Sequence, residues 1–526
     1  MLPTKSDLFN LTIDSSLDLH FFKGKRQKIC STFGNQFEVI EPGTGTVVTQ
    51  CPSADDSLVD IVVNQADKAQ LQWSSLSPLE RSKVLLRTAD LIRANLETLA
   101  SCETRTNGKP IVEARVDIES SADTFAFYGG ILPAEFKGDF YDIPSDGKGN
   151  RFAYTRREPF GVVGCIGAWN YPFQTCCWKV APALAAGNAV VYKPSPFAPG
   201  SPVLLGELLR AAGLLDGVYN VLQGEAETGQ LICLHEKVAR VSFTGSVPTG
   251  RKIQQMCAQR GIKPVTLELG GKSAFIVFED ADLKDAVTSA ILANFCNQGE
   301  VCTNATRVFV QESVLNLFKT NLLAELKSKI RIGNPLDDTT NVGATINERH
   351  LEKVIQFVER AKDQVIKMLK GLITNISYKF HGATVLFGGR RVFPSGVEKG
   401  FYFEPAVLTD LDDEMEIVKE EIFGAVMLIL PFKTEQEAIA RANATQFGLA
   451  SGLCTTNLAR AHRVAAQLKV GTVFVNTYND AEVHIPFGGF KNSGHGRENC
   501  VECLHEYSQV KSVYVNIGEG LQHNLG

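Results

Sequence analysis

Three short apolar runs decide the fold of this chain: GVVGCIGAW at 161–169, NAVVYKP at 188–194 and ARVSF at 239–243. β-branched residues are frequent in each run, and stretches with helical spacing separate the runs. This alternation is typical of βαβ units that build a parallel sheet. The same rhythm resumes after residue 400 with PAVLTDL, AVMLILPF and GTVFVN, so the 526 residues are predicted to form an α/β protein of two or three domains.

The composition disfavours several classes of function. The chain has 53 basic and 58 acidic residues and a net charge of −5, which gives no electrostatic case for nucleic acid or an anionic membrane as partner. No apolar run reaches the about 20 residues that span a bilayer.

Thirteen cysteines scattered through apolar segments predict reduced thiols. The N-terminus contains aspartates and is unlike a targeting peptide, so a cytoplasmic address is expected. The single C-x-x-C, Cys500 to Cys503, has no second pair, and no metal site is predicted.

Cys302 is the candidate nucleophile. It lies between a helical segment that ends near Gly299 and a strand that begins at Arg307. A thiol on such a connection can face a cleft, and its polar, glycine-containing surroundings distinguish it from Cys165 or Cys233. The alternative is a buried cysteine that acts only as a small apolar side chain.

Glu268 is the candidate general base. The apolar stretch PVTLE delivers it just before a Gly-Gly turn and a second strand. Burial of a carboxylate on such a strand raises its pKa, which suits a general base at neutral pH. The alternative is a structural ion pair, with Lys272 as the nearest candidate partner.

Two more strand ends suggest binding groups. VSFTGSVPTG at 241–250 turns from a strand into a helix whose first N–H groups can cradle a phosphate, although it lacks the Lys-Ser/Thr of a nucleotide-hydrolase P-loop. The Asn170 amide can donate to an oxyanion, and Lys193 can meet a ribose hydroxyl. The alternatives are an ordinary turn, an Asn that stabilises its own loop and a surface lysine. Because all these groups lie at strand ends of one α/β block, the combination favours a single site.

Five longer strings resemble the aldehyde dehydrogenase family: ETRTNGKP at 103–110, LELGGKS at 267–273, Phe-x-x-x-Gly-x-x-Cys at 295–302, KEEIFG at 419–424 and PFGGFKNSGHGRE at 486–498. The resemblance extends from about residue 36 to residue 516. It is strongest to the members that oxidise 4-trimethylaminobutyraldehyde in carnitine biosynthesis, with betaine-aldehyde-type relatives nearby.

The resemblance implies an α/β fold with a Rossmann-like cofactor domain, an α/β catalytic domain and a β oligomerisation arm that joins a homotetramer or homodimer. The expected division of the chain has four parts. These are an irregular N-terminal arm at 1–35, an NAD-binding domain at 36–136 and 159–267, a catalytic domain at 268–482, and an oligomerisation arm at 137–158 and 483–526.

The resemblance also implies a chemistry. Cys302 attacks a small-molecule aldehyde as a thiolate, Asn170 and the Cys302 N–H hold the oxyanion, hydride passes to NAD, and Glu268 activates the water that releases the acid. The residues expected to bind NAD are Trp169, Lys193, Gly245, Ser246, Val247, Pro248, Thr249, Glu421 and Phe423. The residues expected to line the substrate channel are Tyr171, Trp178 and Phe487, whose aromatic faces suit a quaternary ammonium.

Four features depart from the family pattern. Glu300 stands where Gln is usual, and a carboxylate two residues before the nucleophile can raise the thiol pKa. Ala425 replaces the usual Pro of EIFGPV, which can loosen the loop that presents Phe423. Pro196 stands where many relatives have a Glu that discriminates against the 2′-phosphate of NADP. Residues 365–381 interrupt the family pattern, as a surface insertion or a gene-model artefact. A broad-specificity or betaine aldehyde dehydrogenase and a catalytically weak structural homologue therefore stay open as alternatives.

Overall fold

The computed structural model describes residues 20–27, 35–143, 151–363 and 382–517. Within these ranges no helix is both long and apolar enough to cross a membrane. The expected insertion at 365–381 lies outside the described residues.

The strands of the described ranges form four sheets. They are β1 (His20–Phe22), β2 (Lys25–Gln27), β3 (Gln36–Glu41), β4 (Thr46–Pro52), β5 (Phe140–Ile143), β6 (Arg151–Pro159), β7 (Val162–Ile166), β8 (Ala189–Lys193), β9 (Tyr219–Val221), β10 (Val238–Thr244), β11 (Val265–Glu268), β12 (Ala274–Val277), β13 (Arg307–Gln311), β14 (Thr384–Phe387), β15 (Ala406–Thr409), β16 (Val426–Phe432), β17 (Ala450–Cys454), β18 (Thr472–Val475), β19 (Gly494–His495) and β20 (Ser508–Asn516).

The helices lie between these strands and at the N-terminal end of the first domain. They are α1 (Asp56–Ser75), α2 (Pro78–Ala94), α3 (Leu96–Asn107), α4 (Ile111–Glu135), α5 (Pro172–Ala185), α6 (Ser201–Ala212), α7 (Ala226–Leu234), α8 (Val247–Gln259), α9 (Leu283–Phe295), α10 (Leu315–Lys329), α11 (Glu348–Asp363), α12 (Glu416–Lys419), α13 (Glu435–Asn443), α14 (Leu458–Gln467) and α15 (Cys500–Glu506).

The first large sheet has the order β19-β11-β10-β7-β8-β9-β1-β2. Its five central strands run parallel, and β7 and β8 are buried along their whole length, which explains their uninterrupted apolar sequence. Since parallel strands end at the same edge, the segments after β7, β8, β10 and β11 come together there. That edge carries Asn170, Lys193, Gly245 and Glu268.

The second large sheet has the order β14-β15-β16-β13-β12-β17-β18. All its neighbours pair in parallel except β14, which is antiparallel to β15. Its apolar core is separate from that of the first sheet and includes Phe309 and Leu430. The connections that enter β13 and β16 face the first sheet and carry Cys302 and Phe423.

A three-stranded antiparallel sheet, β20-β6-β5, forms the arm. The sequence QVKSVYVN near the C-terminus has no partner beside it along the chain, but β20 pairs with β6 from Ser508 opposite Pro159 to Asn516 opposite Arg151. The two segments that were expected to form an arm therefore lie in one sheet.

Two expectations about the ends of the chain are wrong. The N-terminal arm is not irregular at residues 20–27, because β1 pairs with β9 and the side chains of Phe21 and Phe22 are buried in the first core. The expected oligomerisation arm at 483–526 is too long. Gly494–His495 pairs with β11, and α15 packs on α4 and α5, so this stretch belongs with the first sheet.

Candidate active site

A cavity of about 640 Å³ lies between the carboxyl edge of the first sheet and the connections that enter the second. It is lined by the three expected catalytic residues, Cys302, Glu268 and Asn170. The residues expected to bind NAD that also line it are Trp169, Lys193, Gly245, Ser246, Thr249, Glu421 and Phe423. Val247 and Pro248 do not line it, because they begin α8 behind the turn.

Cys302 follows a tight 3-10 turn, Cys296–Gly299, in which Asn297 and Gln298 both have positive φ. Cys302 lines the cavity and is partly exposed as a residue, whereas most other described cysteines are buried. Burial raises the pKa of the thiol to about 12, and the nearby carboxylates of Glu268 and Glu421 act in the same direction. The thiol is therefore protonated at neutral pH and needs activation before it can attack.

Asn170 lies in the loop that follows β7 and is held on both sides. Its side-chain Nδ2 donates to the carbonyl oxygen of Glu300 at 3.0 Å. Its own carbonyl oxygen accepts from Asn297 Nδ2 at 2.9 Å and from Asn107 Nδ2 at 3.3 Å. One proton of the Asn170 amide is thus used for orientation, and the other is free to stabilise an oxyanion in the cavity.

Glu268 ends β11 with a buried side chain, and neither carboxylate oxygen has a hydrogen-bond partner among the described residues. Burial raises its pKa well above the usual range; the charge of Glu498 adds to this shift and that of Lys179 opposes it. Lys179 and Glu498 form a buried ion pair with each other. The alternative that Glu268 pairs with Lys272 is wrong, because Lys272 Nζ donates to the carbonyl oxygen of Ile417 at 2.8 Å.

The loop between α12 and β16 forms the opposite wall of the cavity. Glu421 accepts from the N–H of Gly271 at 3.0 Å, and a Cβ at Gly270 would overlap its carboxylate. Phe423 has φ +62°, and its carbonyl oxygen accepts from Nε2 of His350 at 2.7 Å. The replacement of Pro by Ala425 therefore leaves a loop that His350 fixes directly.

Trp169 packs edge-on against this same loop. Its ring centroid lies 5.2 Å from that of Phe423 and 5.4 Å from that of His350. Burial lowers the pKa of His350 to about 4, so the imidazole in this aromatic cluster is neutral at pH 7.

The far end of the cavity has the groups that a dinucleotide requires. The side chains of Ser246 and Thr249 are exposed at the start of α8, where free N–H groups favour a phosphate. Lys193 Nζ donates to the carbonyl oxygens of Pro194 and Gly224 at 2.8 and 2.6 Å. Burial lowers the pKa of Lys193 to about 8, and the charge of Glu225 opposes the shift.

The other end of the cavity is aromatic and acidic. Trp178 and Phe487 lie with ring centroids 5.2 Å apart, and Tyr171 also lines this end. Asp117 faces the cavity and pairs with the buried Lys109 at 2.5 Å. Lys109 Nζ lies 4.0 Å from the centroid of the Tyr171 ring, so this ring is already in contact with a cation.

Sequence reasoning missed several residues that complete the site. Three of them, Asn107, Lys109 and Glu103, belong to the string ETRTNGKP. This string supported the family resemblance, but no function was predicted for its residues. Glu103 accepts from the N–H of Phe173 at 3.3 Å and from the Ser201 hydroxyl at 3.0 Å. Glu498 is the last residue of PFGGFKNSGHGRE, so its place in a family-like string could have indicated that it belongs to the site.

Known proteins are similar to this chain in sequence and in fold. The model of the aldehyde dehydrogenase family matches residues 30–513. The chain is 47% identical over 503 residues to 4-trimethylaminobutyraldehyde dehydrogenase A of Danio rerio, covering 95% of this chain and 94% of the relative. It is 47% identical over 506 residues to 4-trimethylaminobutyraldehyde dehydrogenase of Rattus norvegicus, covering 96% and 97%.

Solved structures agree. The NAD-dependent aldehyde dehydrogenase of Sinorhizobium meliloti superposes with a TM-score of 0.88 at 36% identity, covering 99% of both chains. The NAD+ complex of an aldehyde dehydrogenase from Bacillus cereus gives a TM-score of 0.87 at 36% identity, covering 95% of this chain and 96% of that one. The α/β fold expected from the sequence is thereby confirmed, and the chain belongs to the aldehyde dehydrogenase family.

Proposed function

We propose that this protein oxidises an aldehyde to a carboxylic acid with NAD as hydride acceptor, through a covalent intermediate on Cys302. The observation that carries the proposal is the unpartnered Glu268 carboxylate, buried in the same cavity as a partly exposed thiol and the Asn170 amide. A buried carboxylate without partners costs free energy, and such strained polar groups are typical of functional sites.

The chain's own groups account for each bond change. The Cys302 thiol loses its proton to solvent, its Sγ adds to the carbonyl carbon, and the resulting oxyanion accepts from Asn170 Nδ2 and the Cys302 N–H. A bound NAD+ would supply the acceptor for the hydride that leaves this carbon, and its positive ring would favour the thiolate. Glu268 then removes a proton from water, whose oxygen attacks the thioester carbon. The C–S bond breaks, the proton on Glu268 passes to the leaving thiolate, and the acid and the thiol are released.

Glu498 and Lys179 act on Glu268 by charge. Among the described residues Glu268 has no neighbour that would hold its proton in a hydrogen bond, but the buried Lys179–Glu498 ion pair lies near enough to act on its charge, and Glu498 lines the same cavity. We infer that the negative charge of Glu498 disfavours a permanently ionised Glu268 and that Lys179 opposes this effect.

We propose NAD, not NADP, as the cofactor. Pro196 lines the cavity where an acid is usual, but Glu225 lines it as well and acts by charge on Lys193. A carboxylate beside the ribose repels a 2′-phosphate and accepts from a 2′-hydroxyl. Lys193 and Lys353 are the lysines among the lining residues, and no arginine is among the described residues that line the cavity.

The proposed substrate is an aldehyde that carries a trimethylammonium group, such as 4-trimethylaminobutyraldehyde. Trp178 and Phe487 offer aromatic faces, and the carboxylate of Asp480 also lines the cavity. Aromatic faces and carboxylates both attract a quaternary ammonium. The relatives of 47% identity carry the name of this activity, which supports the assignment.

One assay tests the reaction and the substrate together. Purified protein is mixed with NAD and either 4-trimethylaminobutyraldehyde or 5,5-dimethylhexanal, a neutral aldehyde of the same shape, and NADH is followed by absorbance. A preference of about tenfold or more in kcat/KM for the cation is expected. Equal values would contradict the substrate class, and no NADH with any aldehyde would contradict the reaction. Trp178→Ala should reduce the preference, while Trp73→Phe, far from the cavity, should not.

We also propose that the arm joins subunits. Phe140 and Tyr514 of the three-stranded sheet are 67% and 77% exposed, although they are large aromatic side chains. Such residues on a short sheet are typical of an interface. Light scattering should give the mass of a dimer or tetramer, and a Phe140→Lys, Tyr514→Lys double variant should shift it toward the monomer. A monomeric wild type would contradict this assignment.

A further inference from the structure

Glu300 departs from the family pattern, and the structure shows where its side chain lies. It is fully buried. Its Oε1 accepts from the N–H of Ile346 at 3.0 Å, and His350 Nε2 lies 3.8 Å from the same oxygen. The carboxylates that act on the Cys302 thiol are those of Glu268 and Glu421. The rise of the Cys302 thiol pKa is therefore attributed to burial first and to Glu268 and Glu421 next, and not to Glu300.

Two buried oxygens near Glu300 have no partner. One is its own Oε2, and the other is Oε1 of Gln298. The Gln298 side chain contacts the Glu300 carboxyl and by itself lowers the pKa of Glu300, against the larger opposite effect of burial. The Gln298 amide cannot be turned round to repair this, because its Nε2 donates to the carbonyl oxygen of Ala344 at 3.1 Å. A carbonyl can only accept, so the Gln298 oxygen must face the other way.

Among the described residues, no cation forms an ion pair with an ionised Glu300. His350 uses Nε2 to donate to the Phe423 carbonyl, and burial lowers its pKa to about 4, so it is neutral at pH 7. Lys109 acts on Glu300 only by charge and is already paired with Asp117 at 2.5 Å. These are the titratable groups that face Glu300. An unpaired charge at this depth is costly, and burial correspondingly raises the pKa of Glu300 well above its usual range.

We propose that Glu300 is an uncharged carboxylic acid that donates its proton to Gln298 Oε1 and accepts from Ile346, and that it thereby positions the segment entering Cys302. The proton satisfies both unpartnered oxygens at once. Glu300 acts as a positioning residue, since its main-chain carbonyl is the acceptor that orients the Asn170 amide. The neutral side chain also adds no charge near the thiol.

The test follows from the linkage between protonation and stability. Glu300 keeps its proton in the folded chain and loses it in the unfolded chain above its ordinary pKa, so it destabilises the fold increasingly as pH rises. Gln at this position would make the same two hydrogen bonds without this penalty. The apparent Tm of Glu300→Gln should therefore exceed that of the wild type, by a margin that grows between pH 5.5 and pH 9. Glu352→Gln, an exposed control on α11, should show no such trend.

An ionised Glu300 predicts a change of Tm in the opposite direction. If Glu300 were ionised and paired with a charged His350, Glu300→Gln would lower the Tm at pH 7, and this result would overturn the proposal. A Gln variant that failed to fold would overturn it as well.

Alkylation of Cys302 by iodoacetamide gives a second measurement. Its rate at each pH from 6 to 8.5 should change by less than about twofold in Glu300→Gln, whereas loss of a nearby negative charge would accelerate it. Neither measurement needs turnover, so both are independent of the proposed function.

Discussion

The side-chain amide of Asn170 donates a 3.0 Å hydrogen bond to the main-chain carbonyl of Glu300, two residues before the nucleophile. The donor that faces the oxyanion is thus oriented by the segment that carries the thiol. Asn170→Ala should lower kcat by about 10²–10³, the usual cost of one oxyanion donor. Steady-state kinetics would show this, with Asn64→Ala on the exposed face of α1 as a control. A change below threefold would mean that the Cys302 N–H suffices.

Glu268→Gln should separate the two halves of the reaction. Without a base, water attacks the thioester slowly, and kcat should fall by about 10²–10⁴. Hydride transfer precedes this step, so rapid mixing should still give a burst of NADH near one equivalent per subunit. Absence of the burst together with low kcat would place Glu268 in activation of the thiol instead. Glu227→Gln, exposed on α7, serves as the control.

The reactivity of Cys302 in the free protein should rise steeply with pH. Burial raises the pKa of this thiol to about 12, so the thiolate fraction grows about tenfold per pH unit across the neutral range. The rate of inactivation by iodoacetamide between pH 7 and pH 9 measures this dependence. Added NAD+ should flatten it, since a nearby positive charge favours the thiolate. Cys296→Ala, which removes the other partly exposed cysteine among the described ones, should leave the rate unchanged.

Glu225 should select the cofactor. Glu225→Gln removes the negative charge beside Lys193, and the ratio of Kd for NADP to Kd for NAD should fall by about five- to tenfold at low salt. Quenching of protein fluorescence, to which Trp169 in the cavity contributes, gives both constants without turnover. Glu227→Gln should leave the ratio unchanged. An unchanged ratio in Glu225→Gln would show that the ribose lies elsewhere.

Parts of the site could be predicted because each part is local in the sequence. Cys302, Glu268 and Asn170 each stand at the end of a strand or turn that the sequence pattern locates, and parallel strands bring such ends together. Gly245 and Lys193 follow the same logic. The assignment of roles to them stays a prediction.

The contacts that support these residues could not be predicted in the same way. Lys179 and Glu498 are 319 residues apart and meet only because α15 packs on α5. Asp117 lines the cavity from the second turn of α4, although an acid in a helix usually indicates a solvated face. The state of Glu300 depends on which oxygens are left without donors after the chain has folded.

Gly299 lies where the turn before Cys302 meets the loop that presents Phe423. It has φ +72°, and a Cβ there would overlap the main chain of Gly424 and Ala425. The turn before Cys302 and the loop that presents Phe423 touch backbone to backbone, with no side chain between them to absorb a change. A protein engineer who transplants the cysteine turn into another scaffold must carry residues 421–425 with it, because neither piece keeps its shape without the other.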